Sequence, residues 1–207
     1  MSGYEQTIRQ LGQSAERILI QLWQAVEEGR LPVADFPEVA AQILAVANEQ
    51  GRAAAEIAFN GYMTAATGQV SVPAAVPVVD NTARLTQALA TIAASDQDTL
   101  MQLARIANAE PLEAAARRFS ESIRADRRVS GWVRQLEPNA CQLCRWWRRE
   151  GRVWPKEHPM PTHKGCTCHP LPTVAEEIES TMYTRKLERA RQAAENTKKH
   201  NPERIAS

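Results

Sequence analysis

All four cysteines of this 207-residue chain fall within 28 residues, Cys141 to Cys168, and three of its four histidines lie in or directly beside that stretch. No other feature limits the fold so strongly. Cys141 and Cys144 form a CxxC, and His163, Cys166 and Cys168 form an HxxCxC about twenty residues later. Two compact pairs joined by a loop are the layout of a tetrahedral zinc site: the CxxC turn aims two sulfurs at one point and the loop returns a second pair to it. Thiolates supply the negative charge that Zn²⁺ favours. A set closed at four leaves no position for water, as in structural sites. The expectation is one structural Zn²⁺ held by four of Cys141, Cys144, His163, Cys166 and Cys168, with Cys141 and Cys144 as the fixed pair. In an extended CxC the two side chains point to opposite faces, so one of Cys166 and Cys168 can be left out. His158 and His169 are expected at the surface or just behind the ligands. The competing readings are free buried thiols, for which the cysteines are packed too closely together, or a pair of disulfides. Disulfides require an oxidising compartment, and the opening MSGYEQTIRQLGQ has neither the basic nor the apolar region of a signal peptide.

The rest of the chain reads as helix. Only 5% of residues are aromatic, and much of the 43% hydrophobic content is alanine, which suits helices better than sheets. No apolar run approaches the length needed to cross a membrane. Charge is divided along the chain. Residues 1–100 hold 5 Lys/Arg against 11 Asp/Glu, or −6; residues 101–207 hold 20 against 13, or +7; together these give the net +1. The basic half points either to a polyanion or to complementary neighbours in an assembly.

The expected organisation is mainly α: a helical region over 1–128 with long antiparallel helices, a small zinc-stapled irregular or β-hairpin module over 129–174, and a C-terminal helix and tail over 175–207. Ile8, Leu11, Ala15, Ile18, Leu22 and Val26 recur at helical spacing, widened by Leu19 and Trp23, until Gly29 and Pro32 end the segment. Asp35 is placed to cap a second helix with Val39, Ile43, Val46, Ala47, Ala54, Ile57 and Ala58 on one face, and Gly51 is placed to bend or interrupt it. GQVSVPAAVPVV, with its two prolines, reads as an extended linker or arm at about 68–80. Asp80 or Asn81 caps a third helix carrying Leu85, Leu89 and Ile92. Ser95 and Asp98 suggest a capping box for a fourth, with Leu100, Leu103, Ala104 and Ala107. Pro111 is placed in the first turn of a fifth, with Leu112, Ala115, Phe119 and Ile123 inward. Thr173 and Glu176 form a capping box for a last helix with Ile178, Met182, Leu187, Ala190 and Ala194.

Arginines and tryptophans interleave through the cysteine region. Arg145, Arg148, Arg149 and Arg152 alternate with Trp146, Trp147 and Trp154 and are the candidate nucleic-acid contacts, since guanidinium groups hold phosphates and indoles stack on bases. The tryptophans are expected instead to supply the apolar mass of a small module, whereas the arginines fit a solvated basic face as well as a nucleic-acid contact.

From Asp126 the sequence DRRVSGWVRQLEPNACQLCRWWRREGRVW, followed by Met-Pro-x-His-x-x-Cys-x-Cys and closed by Pro170 and Pro172, resembles the C-terminal module of phage MuF-like minor head proteins, the head-morphogenesis family of actinobacterial-phage type. The elements are a Gly-Trp-x-Arg turn, the Asn-Ala-Cys-x-x-Cys, a glycine with the Val153–Trp154 pair, and the HxxCxC. The resemblance covers about residues 126–172. It implies a structural minor capsid protein of a tailed phage, associated with the portal and major capsid proteins and, as a further partner, genomic DNA. Its implied place is the head interior near the portal, after assembly in the host cytoplasm.

No membrane and no small-molecule substrate are expected, and no enzyme. The sequence lacks a Gly-rich phosphate loop, a GxSxG and an HExxH, and no histidine precedes His158. The alternatives are a zinc-containing nucleic-acid-binding protein or a metal-dependent nuclease recruiting His158 or His163, with Asn139 nearby.

Overall fold

A helix of 26 residues, α1 (Ser2–Glu27), opens the chain in the computed structural model, which describes residues 2–73, 75, 77, 80–174, 185–187 and 189–192. It is followed by α2 (Phe36–Thr67), α3 (Thr82–Ala93), α4 (Thr99–Ala125), β1 (Gly131–Gln135), α5 (Gln142–Arg148), β2 (Trp154–Pro155) and β3 (His169–Thr173). The protein is mainly α, with one antiparallel sheet of order β2-β1-β3 in place of a simple hairpin. The expected final helix lies mostly outside the described residues; 185–187 and 189–192 are helical.

The buried side of α1 is Tyr4, Ile8, Gly12, Ala15 and Leu19, whereas Ile18 is 45% exposed. The stripe is rotated from the one defined by the largest side chains because α1 is pressed against α4 at a small residue. A Cβ on Gly12 would stand 3.1 Å from the Asn108 carbonyl oxygen.

The same effect is stronger in α2. Ala40, Ala41, Leu44, Ala47, Gly51, Ala55, Phe59 and Met63 face inward, while Val39, Val46 and Ile57, expected on the buried face, are exposed. Gly51 neither bends nor interrupts the helix. It is the crossing point with α4, where an added Cβ would lie 2.5 Å from the Pro111 carbonyl oxygen. Close backbone approach outweighs the larger apolar area of the other face because the alanine–glycine face admits a neighbouring helix along its length.

Pro111 lies inside α4 and does not start a fifth helix; residues 99–125 are one continuous element. A proline there removes one helical hydrogen bond, a cost of about 3 kcal/mol or more in isolation. Buried packing against α2 offsets it. The helix starts at Asp98, whose Oδ1 accepts the Met101 N–H at 2.9 Å, and not at Ser95, which instead accepts the Gln97 N–H.

Two core clusters fix the directions of the helices. The first joins Leu19 of α1, Phe36 and Leu44 of α2, Leu85 and Leu89 of α3, and Leu103 of α4. The second joins Tyr4 and Ile8, Phe59 and Met63, and Phe119 and Ile123 with Val129 and Trp132. Hence α1 runs antiparallel to both α2 and α4, and α2 and α4 run parallel to each other. Just after Gly68 the chain doubles back along the end of α2, which permits this arrangement. Ser71 Oγ donates to Asn60 Oδ1 at 2.8 Å, and its N–H donates to Thr64 Oγ1 at 3.0 Å.

Candidate metal centre

The segment read from sequence as a Gly-Trp-x-Arg turn is strand β1, the middle strand of the sheet. Gly131 to Gln135 pair with Thr173 to His169 of β3. Alternation along β1 turns Trp132 and Arg134 inward. Trp132 enters the second core cluster, so the sheet is packed onto the helices. β1 thus leads out of the core toward Cys141, and β3 leads back into it from Cys168.

Local turns aim the candidate ligands. Cys141 is extended (φ −67, ψ 165) at the N-cap of α5, and Cys144 sits in its first turn, so both sulfurs leave on one side. On the second arm the Cys166 N–H donates to the His163 carbonyl at 3.3 Å across a tight turn, in which Gly165 takes the left-handed φ of 75°. His163 Nε2 lies 3.2 Å from Cys141 Sγ and 3.1 Å from Cys144 Sγ, and Cys144 Sγ lies 3.4 Å from Cys166 Sγ. Cys141, Cys144 and His163 form one group of mutually close donors; Cys144, Cys166 and Cys168 form another. The five expected residues are therefore brought together as two triads that share Cys144. All four cysteines are free thiols, so no disulfide competes.

The donors of each triad, all within 4.8 Å of one another, are spaced to fit a thiophilic divalent ion. Metal–sulfur bonds of about 2.3 Å in a tetrahedron imply S···S of about 3.8 Å and S···N of about 3.5 Å, a few tenths of an ångström beyond the spacings observed. Cys144, Cys166 and Cys168 are buried and Cys141 is exposed, which leaves an entry path.

A match to the VG15 protein family spans residues 1–194. This chain belongs to the VG15 family. VG15 is a viral (phage) family, and the matched span takes in the helical body and the cysteine region together. No curated protein and no solved structure matches the chain.

Protonation in this VG15 chain follows from crowding of the sulfurs. Burial pushes the Cys144 thiol up to about 12. Hydrogen bonding with Cys168, then burial, pushes Cys166 up further. Cys168 is held down at about 6, chiefly by the Cys166 hydrogen bond and also by the Glu137 N–H, which donates to its sulfur at 3.4 Å. Three packed sulfurs thus share little negative charge on their own, and a divalent cation would let more of them ionise.

Several residues beside the site were not legible from the ligand spacing. Arg9 of α1 donates to Glu137 Oε2 at 2.5 Å and to Thr167 Oγ1 at 3.2 Å, and Thr167 Oγ1 donates to the same carboxylate at 2.6 Å. These bonds tie both ligand arms to α1. His169 is not at the surface. It is 1% exposed, with Tyr4 edge-on at 5.2 Å and Phe119 at 5.6 Å, and burial lowers its pKa to about 4. The available signal was its place one residue after Cys168, at the start of a strand. His158 stacks on Trp154 at 4.5 Å, and burial followed by Arg152 lowers its pKa.

The candidate nucleic-acid residues separate into two kinds. Arg145, Arg148 and Arg149 are exposed on and just after α5, beside Trp146 at 64% exposure. Arg152 is half-buried, with its guanidinium 4.7 Å from the centre of the Trp154 ring. Trp147 packs on the cysteine cluster.

Proposed function

We propose that this VG15 chain is a minor head protein of the MuF-like, head-morphogenesis type, in which one Zn²⁺ staples a small docking module to a helical body. The observation that carries this reading is the gathering of five sulfur and imidazole donors into two triads that share Cys144, at the root of a sheet packed on the helices. An ion there holds together about fifty residues that cannot build a core alone. In this reading the role is assembly and not catalysis; His163, one of the two histidines a nuclease would recruit, has both ring nitrogens engaged, Nε2 by the two sulfurs and Nδ1 by the Lys164 carbonyl at 3.1 Å. The partners are the portal and major capsid proteins, and the place is the head interior near the portal. Phage-family membership and the charge division along the chain support this reading.

Purified chain should contain one zinc by elemental analysis and co-sediment with portal rings. A metal-free, fully folded protein would remove the staple; zinc-loaded protein that ignores both portal and capsid would remove the assembly role. Exposed Arg145, Arg148, Arg149 and Trp146 favour a second reading, contact with packaged DNA. Such binding should weaken steeply with salt and show no sequence preference. Hydrolysis of DNA with Mg²⁺ or Mn²⁺ would favour the nuclease instead.

A further inference from the structure

Arg134 lies near the end of β1 and is 2% exposed. Among the described residues three groups meet its guanidinium. Nη1 donates toward Cys144 Sγ at 3.9 Å, Nη2 donates to the Pro161 carbonyl, and the Trp147 ring centre is 5.1 Å away. Among the described residues none of these partners is a carboxylate. Burying a cation with no anion beside it is costly, and the neighbour that can become an anion is the Cys144 sulfur.

Its contacts also span the pieces that deliver the ligands. Trp147 and Cys144 belong to α5. Pro161 is two residues before His163, on the second arm. One rigid planar fork, mounted on a strand, therefore touches both arms.

The charge arithmetic gives the consequence. A divalent ion with two thiolates and two neutral ligands is neutral, and Arg134 would remain uncompensated. With three thiolates and one imidazole the centre carries −1, which Arg134 cancels. We propose that Arg134 is a positioning residue of the metal centre, clamping the Cys144 and His163 arms and selecting a ligand set of three thiolates and one imidazole. This rests on the metal reading above.

The test compares full-length wild type with R134M, R134Q and R134K, each loaded with Co²⁺. The affinity for Co²⁺, read by competition with a chelator, should be about 10–100-fold lower in R134M and R134Q, the usual effect of losing a group that orients a ligand. In R134K, which keeps the charge but loses the fork, it should fall between these and wild type. The sulfur-to-cobalt charge-transfer band should move to lower energy in R134M and R134Q but stay in place in R134K, because a nearby cation stabilises the thiolate lone pairs. A merely structural role would leave the band unmoved in all three and overturn the proposal. If R134M fails to fold, R134Q against R134K decides the same point. Wild type that takes up neither Co²⁺ nor Zn²⁺ would overturn the metal reading itself; wild type that binds, with variants indistinguishable from it, would overturn only the role of Arg134.

Discussion

In the helical body, Phe36, Leu44, Leu85, Leu89 and Leu103 are fully buried in one cluster. In the cysteine region the corresponding cluster is Ala140 with Cys144, Cys166 and Cys168, flanked by half-buried Leu136, Trp147 and Met160. Each large side chain of the body contributes about 1.5–3 kcal/mol on burial, and backbone contact at Gly12 and Gly51 lets the helices approach closely. The cysteine region has no comparable apolar mass, and its geometry rests on a few polar centres: the sulfurs, Arg134, and the Arg9–Glu137–Thr167 network. A fold held by area spreads its stability over many residues. One held by a few centres fails when one centre is lost.

The sharpest test of that contrast is Cys144→Ser, which removes the sulfur common to both triads. The variant should lose its metal and the fixed environment of Trp147, seen as lost near-ultraviolet dichroism and a red-shifted tryptophan emission. Far-ultraviolet dichroism should retain most of its helical signal. Cys141→Ser, which touches one triad only, should weaken metal binding less. A collapse of the helical signal in Cys144→Ser would show the body to depend on the ion and erase the distinction.

Within the body the largest single effect is expected at Gly51. Its Cβ position is 2.5 Å from a backbone oxygen that cannot rotate away, so Gly51→Ala should cost about 2–3 kcal/mol in urea unfolding, with metal content unchanged. A cost below about 0.5 kcal/mol, the size of an ordinary surface change, would mean that the α2–α4 crossing is not a tight constraint.

A smaller effect tests the body's own polar centre. Glu110 is 5% exposed; its two oxygens accept from Arg84 at 3.0 and 2.6 Å, and Asn48 donates to it at 3.3 Å. The Arg84 side chain is half in solvent. Arg84→Ala strands a buried carboxylate and should cost about 2 kcal/mol, whereas Glu110→Gln leaves a guanidinium that water can solvate and should cost less. Equal costs in chemical denaturation would contradict this asymmetry.

The smallest effect lies at the seam. Arg128 donates to both oxygens of Asp126 and, at 2.7 Å, to Ser71 Oγ, joining the connector to the entry of β1. Hydrogen bonds from Arg128 hold the Asp126 carboxyl below its usual range. A carboxyl lowered in the folded state adds stability above its unfolded value of about 4, and that stability is lost as pH falls through the folded value. The stability gap between wild type and Asp126→Asn should therefore be present at pH 7 and shrink below about pH 4. A gap that persists at low pH would assign the effect to shape and not to charge.

Much of this arrangement was readable in advance. Leu85, Leu89, Leu103, Phe119 and Ile123 announce their helices because spacing along a helix depends only on local geometry. The five candidate ligands announce themselves because cysteine clusters serve few purposes. The buried face of α2 was misread, since Val39, Val46 and Ile57 outweigh alanines on any scale of area. The unbroken run of α4 through Pro111 was missed for a related reason: proline is a local stop signal, and the packing that overrides it comes from residues about sixty positions away.

The sequence by itself determined that the chain is mainly helical, where it is interrupted after Gly68, and which side chains could gather around an ion. Those properties follow from neighbours in the chain. Only the tertiary structure decided which side of α2 turns inward, that α2 and α4 lie parallel, that His169 is enclosed by Tyr4 and Phe119, and that Arg134 stands behind Cys144. Each of these depends on how closely two backbones can approach and on what a buried charge finds opposite it. Such quantities exist only once distant segments have met.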